Sequence, residues 1–191
     1  MFGLLYFVAV VLVLHLVRGD VNPAQHFLSE YAIGRHGALM ASAFVGFGLG
    51  AICLAFGLYQ YPAIGTRSKT GSILLAAFGV LTFLAALFTT DPRGAALTTV
   101  GIVHIAAGLL SFIALMPAMI LVSRRLRNDP RKQFSHRLLL VVSLIAVVTF
   151  GIFIALQGTL DAGLFQRAFV GTCLLWLLLT AIELRNALRT E

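Results

Sequence analysis

Long apolar runs alternate with short polar intervals along the whole chain. A helix that crosses a bilayer needs about 20 mostly apolar residues, because the hydrocarbon core is roughly 30 Å thick and each residue rises about 1.5 Å. Runs of this kind predict six spanning helices, each able to satisfy its own backbone polar groups as lipid requires. They cover residues 1–17, 38–58, 72–89, 98–122, 138–157 and 168–184. The pattern therefore predicts a single all-α domain over residues 1–191, an integral membrane protein built as a six-helix transmembrane bundle.

The composition supports a membrane setting. Hydrophobic residues make up 60% of the chain and charged residues only 11%, and the mean hydropathy is +0.98. A soluble domain needs a polar surface that this composition does not supply. The first apolar run has no basic amino-terminal region and no small-x-small cleavage site, so we expect a retained helix and not a secretory signal.

Lysine and arginine are distributed unevenly between the two sides of the predicted bundle. One side carries ten of them, which are Arg67, Lys69, Arg124, Arg125, Arg127, Arg131, Lys132, Arg137, Arg185 and Arg189. The other side carries four, which are Arg18, Arg35, Arg93 and Arg167. Because cytoplasmic loops hold the excess of basic residues, we expect a multi-pass protein of the cell membrane with both termini in the cytoplasm. The same bias accounts for the net charge of +7, so the expected partners are membrane lipids and not nucleic acid.

The polar interval Asp20–Arg35 is the longest before residue 123, and it lies on the predicted outer side. Asn22 suits an N-cap, Pro23 suits the first helical position, and Gly34 suits the residue after the last turn. These signals predict a short interfacial amphipathic helix of about eleven residues between the first two spans. Its polar edge, facing solvent or roofing a cavity between the spanning helices, would consist of His26, Ser29 and Glu30.

Further ionisable side chains come to the same outer end. They are His15, His36, Asp91, Arg93, His104 and Arg167. His104 shares a helical face with small residues, Gly101, Gly108 and Ser111, and small residues mark packed faces in lipid. We therefore expect His104 to point into the bundle. Ionisable residues at membrane depth are costly and mark function, although each also has a structural interpretation, such as a helix cap for Asp91 or a hydrogen bond to a neighbouring helix for His104.

The order of several short motifs resembles a known family. The motifs are Pro23, Ser29-Glu30 and Gly34, then Asp91-Pro92 after the third span, His104 in the fourth, and Gln166-Arg167 opening the sixth. Over essentially the whole chain this order resembles the bacterial and archaeal six-helix membrane family catalogued as domain of unknown function 998. The resemblance implies no particular activity. It implies that the positions of interest are Ser29, Glu30, Asp91, His104 and Arg167.

The favoured function is binding of a lipid headgroup, a small amphiphile or a partner protein through an outward-facing polar pocket. Arg93 and Arg167 would hold a phosphate or carboxylate. The ligand-binding candidates are His26, Ser29, Glu30, Asp91, Arg93, His104 and Arg167. A stripe of small residues, Ser42, Gly46 and Gly50, favours either internal packing or a homo-oligomer contact.

Two other functions stay open. In a membrane-embedded lipid hydrolase, zinc held by three of His26, His36, His104 and Asp91 would activate water with Glu30 as general base. A metal-free version would use Ser29, His26 and Asp91, so the catalytic candidates are Glu30, Ser29 and Asp91. A small transporter is the second alternative, and the nearly uncharged midplane counts against it. Haem held by His15 and His104 is the least favoured cofactor.

Overall fold

The structure, a computed structural model, describes residues 1–60, 68–126 and 133–189. Six α-helices run through these residues, and a short 3₁₀ helix, Leu28–Ala32, lies between the first two. The helices are α1 Phe2–Val17, α2 Gly37–Gln60, α3 Lys69–Leu87, α4 Thr99–Arg125, α5 Gln133–Leu156 and α6 Ala162–Arg189. Four of the basic residues behind the predicted orientation, Arg67, Arg127, Arg131 and Lys132, lie outside the described residues.

Five of the helices, α2 to α6, are long and apolar enough to cross a membrane. Their outward faces carry large apolar side chains, and Phe56, Val80 and Leu144 are each more than half exposed. Apolar surface in water costs about 25 cal/mol per Å², so faces of this kind belong in lipid. The chain is a multi-pass helical membrane protein. Its α1 has 16 residues and is about 24 Å long at 1.5 Å per residue, which is short for a span.

Helices that follow each other in the sequence pack against each other, and α1 also contacts α6. The stripe of small residues in α2 faces α1. A Cβ atom on Gly3 of α1 would collide with the carbonyl oxygen of Gly46, and the hydroxyl groups of Tyr6 and Ser42 share a hydrogen bond of 2.8 Å. The structure thus uses this stripe for internal packing, since small residues allow two backbones to approach closely.

Two aromatic clusters lie on either side of the bundle. In one, the rings of Phe7 and Phe47 stack with centroids 4.5 Å apart. In the other, Phe169 packs against Phe112 and Phe150 with centroid distances of 4.8 and 5.0 Å. The space between these clusters is only partly filled.

The polar interval Asp20–Arg35, hereafter the cover segment, lies where α1, α3 and α5 end and α2, α4 and α6 begin. We call this the site end of the bundle. The predicted eleven-residue amphipathic helix is wrong. Asn22 caps only one turn, with its carboxamide oxygen 3.0 Å from the Ala24 nitrogen, and regular structure resumes only at Leu28.

The helix fails because α6 takes the backbone groups that would propagate it. The carbonyl oxygen of Ala24 accepts from the Leu164 nitrogen at 3.2 Å, and that of His26 accepts from Arg167 at 2.7 Å. The Leu28 nitrogen donates to the Gln166 side chain at 2.7 Å. Tertiary hydrogen bonds therefore replace the local ones that the capping signals favour.

Candidate functional site

The cover segment is anchored at one side by a buried arginine at the end of α1. Arg18 is 5% exposed, and its Nη1 donates to the carbonyl oxygens of Tyr31 at 3.2 Å and Arg35 at 2.5 Å. Its Nε and Nη2 donate to the Asp20 carboxylate at 2.8 and 2.7 Å. These hydrogen bonds lower the pKa of Asp20 and raise the pKa of Arg18 from their ordinary values. One guanidinium thus fixes both ends of the segment.

Arg93 and Arg167 anchor the middle of the cover segment. Arg93 donates to the carbonyl oxygens of Gln25 at 2.8 Å and Gln157 at 3.2 Å. The Nη1 of Arg167 donates to the His26 carbonyl oxygen at 2.7 Å. Both arginines therefore direct donors at backbone carbonyls, which differs from the predicted grip on a phosphate or carboxylate.

His15 holds Arg167 in place. The His15 Nδ1 lies 2.6 Å from the Val11 carbonyl oxygen, and its Nε2 lies 3.0 Å from the Nε of Arg167. Because a carbonyl oxygen only accepts and a guanidinium only donates, Nδ1 carries the proton and Nε2 accepts. Both ring nitrogens are thereby engaged, so His15 positions an anchor and does not share a ligand site with His104.

A cavity of about 590 Å³ lies beneath the cover segment, between the two aromatic clusters. Phenylalanines form much of its apolar wall, and they are Phe7, Phe44, Phe47, Phe112, Phe150 and Phe153. Polar side chains concentrate at the site end, and they include Ser29, Glu30, Asp91, Arg93, His104, Gln157 and Gln166. The cavity is thus amphipathic along its length. Two of the predicted ligand-binding residues, His26 and Arg167, do not line it.

Part of the cavity wall formed by α4 and α5 reaches the outer surface of the bundle. It consists of side chains that are also 37% to 51% exposed on that surface, namely Ile105, Leu109, Ile113 and Ile154. At the opposite end of the bundle, a buried hydrogen bond of 3.2 Å between Ser123 and Ser143 joins the same two helices. Trp176 of α6 donates to Ser123 at 2.9 Å. The helices are therefore fastened away from the site end and separated near it.

Glu30 is buried at the polar end of this cavity, with 7% of its surface exposed. Its Oε1 accepts from the Phe27 nitrogen at 2.8 Å, which caps the 3₁₀ helix. Its Oε2 lies 3.9 Å from the His26 Nε2, beyond hydrogen-bond distance. No residue in the described ranges donates a hydrogen bond to this second oxygen. Glu30 thus uses one oxygen as a cap, while the other lies within ion-pair distance of His26 and receives no hydrogen bond from the described residues.

His104 is 8% exposed and lies inside the bundle, facing α3. Its Nδ1 is 2.9 Å from the Ala85 carbonyl oxygen and 2.8 Å from that of Phe88. Since both partners are acceptors, Nδ1 carries the proton and the Nε2 of the neutral ring is an acceptor. Within the described residues, nothing donates to Nε2. The ring also lines a smaller cavity of about 150 Å³ against α2 and α3.

Asp91 caps the start of α4. Its carboxylate accepts from the Thr98 nitrogen at 2.8 Å and from the Thr98 hydroxyl at 2.9 Å, and that hydroxyl accepts from the Gly101 nitrogen at 3.1 Å. A Cβ atom on Gly101 would collide with the carboxylate. Position 101 therefore has to be glycine for the Asp91 carboxylate to fit beside it. The contacts of this carboxylate hold the start of α4, which agrees with its structural interpretation.

The residues proposed for catalysis or metal binding are not brought together as a reactive group. In the part of the chain that the structure describes, no three His, Cys, Asp or Glu side chains are placed to hold a metal ion. His36 is exposed in a left-handed turn with φ of 63°. No hydrogen bond among the described residues joins Ser29 to His26 or Asp91. Glu30, Asp91 and His104 share one cavity without bonding to one another.

Sequence reasoning missed the roles of Arg18 and Gln166. For Arg18, the signal in the sequence was an arginine two residues before an aspartate, directly after an apolar run. For Gln166, which binds the Leu28 nitrogen, the sequence held no signal beyond its position next to Arg167.

Comparison with known proteins identifies a family. A model of the family described as protein of unknown function (DUF998) matches residues 1–183, which includes every residue that lines the cavity. No curated protein and no solved structure matches the chain.

Proposed function

This chain belongs to the DUF998 family, and we propose that it binds one amphiphilic, lipid-like molecule in the cavity beneath the cover segment. The observation that carries the proposal is a cavity of about 590 Å³ with an apolar wall, a polar end and apolar lining side chains that reach the outer surface of the bundle. Sites for small organic ligands commonly have volumes of about 300–1,000 Å³ and few, well-placed polar groups. An amphiphile matches both ends of this cavity.

The exposed part of the cavity wall, formed by α4 and α5, suits a ligand that arrives from the membrane. Ile105, Leu109 and Ile154 belong to it, and all three are apolar. Three arginines hold the cover segment over the polar end, so the route we propose for the ligand runs between α4 and α5. In the proposed arrangement α1 also spans the membrane, both termini are cytoplasmic, and the ligand comes from the outer leaflet.

Selectivity in such a site comes from its polar end. A lipid tail is already in an apolar medium, so its transfer into an apolar cavity gains little from the hydrophobic effect. The phenylalanine wall therefore provides shape, while the groups around Glu30 and His104 provide discrimination. This reasoning supports a binding protein that distinguishes headgroups.

A filled cavity tests the proposal. Gly108 lines the cavity, and no atom lies within 4 Å of a Cβ atom built there. A phenylalanine at this position, Gly108→Phe, would occupy ligand space. The matched control is Gly151→Phe, because Gly151 has equally open surroundings and does not line the cavity.

The readout is native mass spectrometry of protein purified in mild detergent. We expect wild type and Gly151→Phe to retain about one bound lipid-sized mass per chain, and Gly108→Phe to lose it. Equal retention by Gly108→Phe and wild type would refute the proposed site.

A further inference from the structure

Two hydrogen-bond acceptors among the cavity-lining side chains receive no hydrogen bond from the described residues. They are the Oε2 of Glu30 and the Nε2 of His104, and both side chains are more than nine-tenths buried. Neither atom belongs to the fully enclosed, unpaired polar atoms of the described residues. Both therefore keep some open space next to them, as cavity-lining groups do.

The nearby donors are largely engaged by the protein itself. Arg93 directs Nη1 and Nη2 at two backbone carbonyls, and the Leu28 nitrogen is bound by Gln166. The Asp91 carboxylate is already occupied by Thr98. The amide of Gln166 keeps its NH₂ group as a donor, since its oxygen accepts from the Leu28 nitrogen, and the Ser29 hydroxyl that lines the cavity has no hydrogen bond to the described residues. The cavity end thus offers two buried acceptors, one of them a carboxylate oxygen, next to neutral donors, and this combination suits a headgroup that has both donors and acceptors.

We infer that the ligand is an amphiphile whose headgroup carries a primary ammonium, with its N–H groups donated to Glu30 and His104. This inference rests on the proposed function and names the class of ligand. A buried carboxylate oxygen without a donor is costly, and an ammonium supplies both the hydrogen bond and the opposite charge. A quaternary ammonium supplies the charge alone, since it has no N–H. A phosphate next to the ammonium would lie nearest Arg93, the cationic side chain that lines the cavity.

Two lipids distinguish the contribution of the N–H hydrogen bonds from that of the positive charge. Phosphatidylethanolamine and phosphatidylcholine have the same phosphate and the same net charge, and differ in having N–H or N–CH₃ groups. In titrations of delipidated protein followed by native mass spectrometry, we expect the first to bind at least about 10-fold more tightly, which is the smallest effect expected of a single charge-assisted hydrogen bond. Phosphatidylglycerol, a hydroxyl donor with net negative charge, should bind more weakly than phosphatidylethanolamine because Glu30 is anionic.

Three variants test which residues cause the preference for phosphatidylethanolamine over phosphatidylcholine. In Glu30→Gln the amide oxygen can still accept from the Phe27 nitrogen, while an NH₂ group replaces the second oxygen, so the ratio of the two affinities should fall to the smaller value that His104 alone supports. In His104→Asn the NH₂ group takes the place of Nδ1–H against Ala85 and Phe88, and the Nε2 acceptor is lost with the outer part of the ring, so the ratio should fall severalfold. Asp161→Asn changes an exposed acid outside the cavity and should keep the wild-type ratio.

The outcomes distinguish this inference from the function on which it rests. Equal affinity of wild type for phosphatidylethanolamine and phosphatidylcholine would overturn the ammonium assignment and leave lipid binding intact. Phosphatidylglycerol binding as tightly as phosphatidylethanolamine would also overturn it. An unchanged ratio in both Glu30→Gln and His104→Asn would remove these residues from the site. Binding of no lipid by wild type would refute the proposed function itself.

Discussion

Substitution of Arg18 should release the cover segment from the bundle. The side chain is 5% exposed and donates to two backbone carbonyls and one carboxylate. A hydrogen bond from a charged donor contributes about 1.5–3 kcal/mol, so the bonds to Tyr31 and Arg35 together contribute about 3–6 kcal/mol. The pair with Asp20 adds little to this, because that carboxylate is 65% exposed and water screens the interaction. In Arg18→Ala the free energy required to open the cover segment should therefore be lower by at least about 3 kcal/mol.

Hydrogen–deuterium exchange of the protein in detergent measures this opening. Since each 1.4 kcal/mol is a factor of ten, amides of residues 20–35 should exchange more than about 100-fold faster in Arg18→Ala, while those of α5 keep their wild-type rates. Arg18→Lys should lie between the two, because an ammonium does not reach three acceptors in fork geometry. Arg35→Ala is the matched control, since Arg35 is an exposed arginine in the same segment. Exchange in Arg18→Ala within twofold of wild type would refute the anchoring role.

Three further changes test the contacts around the site. Gly163→Ala should lower the unfolding temperature by the equivalent of about 1–3 kcal/mol, because its Cβ would lie 2.5–2.8 Å from three cover-segment carbonyl oxygens. The control Gly171→Ala should leave the unfolding temperature unchanged, because no atom lies within 4 Å of a Cβ atom there. Asp91→Ala should cost about 1–2 kcal/mol as a lost cap, with faster amide exchange confined to the first turn of α4; exchange unchanged there would contradict the cap. The pKa of Asp20 is lowered by Arg18, so its contribution to stability is complete above the unfolded pKa of about 3.9 and is lost as the pH falls through the lower folded value. The difference in unfolding temperature between wild type and Asp20→Asn should disappear over that acidic range, and a difference independent of pH would count against the pairing.

The helices were predictable because a run of apolar residues as long as the bilayer is thick has few alternatives. The ends of the helices were less well predicted. Hydropathy marks the part of a helix that lies in hydrocarbon, whereas backbone hydrogen bonding continues into the polar region. Thus α4 extends to Arg125 and α6 begins at Ala162, beyond the predicted spans of 98–122 and 168–184.

The cavity and the arginine anchors could not be predicted from the sequence. A helical pattern gives the apolar face of each helix but not whether two such faces meet or leave a space, as α4 and α5 do at the site end. Likewise, Arg93 and Arg167 carry the same charge whether they bind a ligand or a carbonyl oxygen. Only the path of the cover segment decides this, because its carbonyls lack helical partners and need other donors.

Glu30 and His104 show that the structural and functional interpretations of a buried ionisable residue need not exclude each other. Each uses one polar atom to fix its orientation, Oε1 on the Phe27 nitrogen in one case and Nδ1 on the carbonyls of Ala85 and Phe88 in the other. Each then holds its second polar atom in a defined direction without a hydrogen bond from the described residues. A group fixed in this way loses little conformational entropy when a ligand binds, which favours affinity. Truncation to alanine would remove both roles together, so the amide variants are the ones that separate binding from folding.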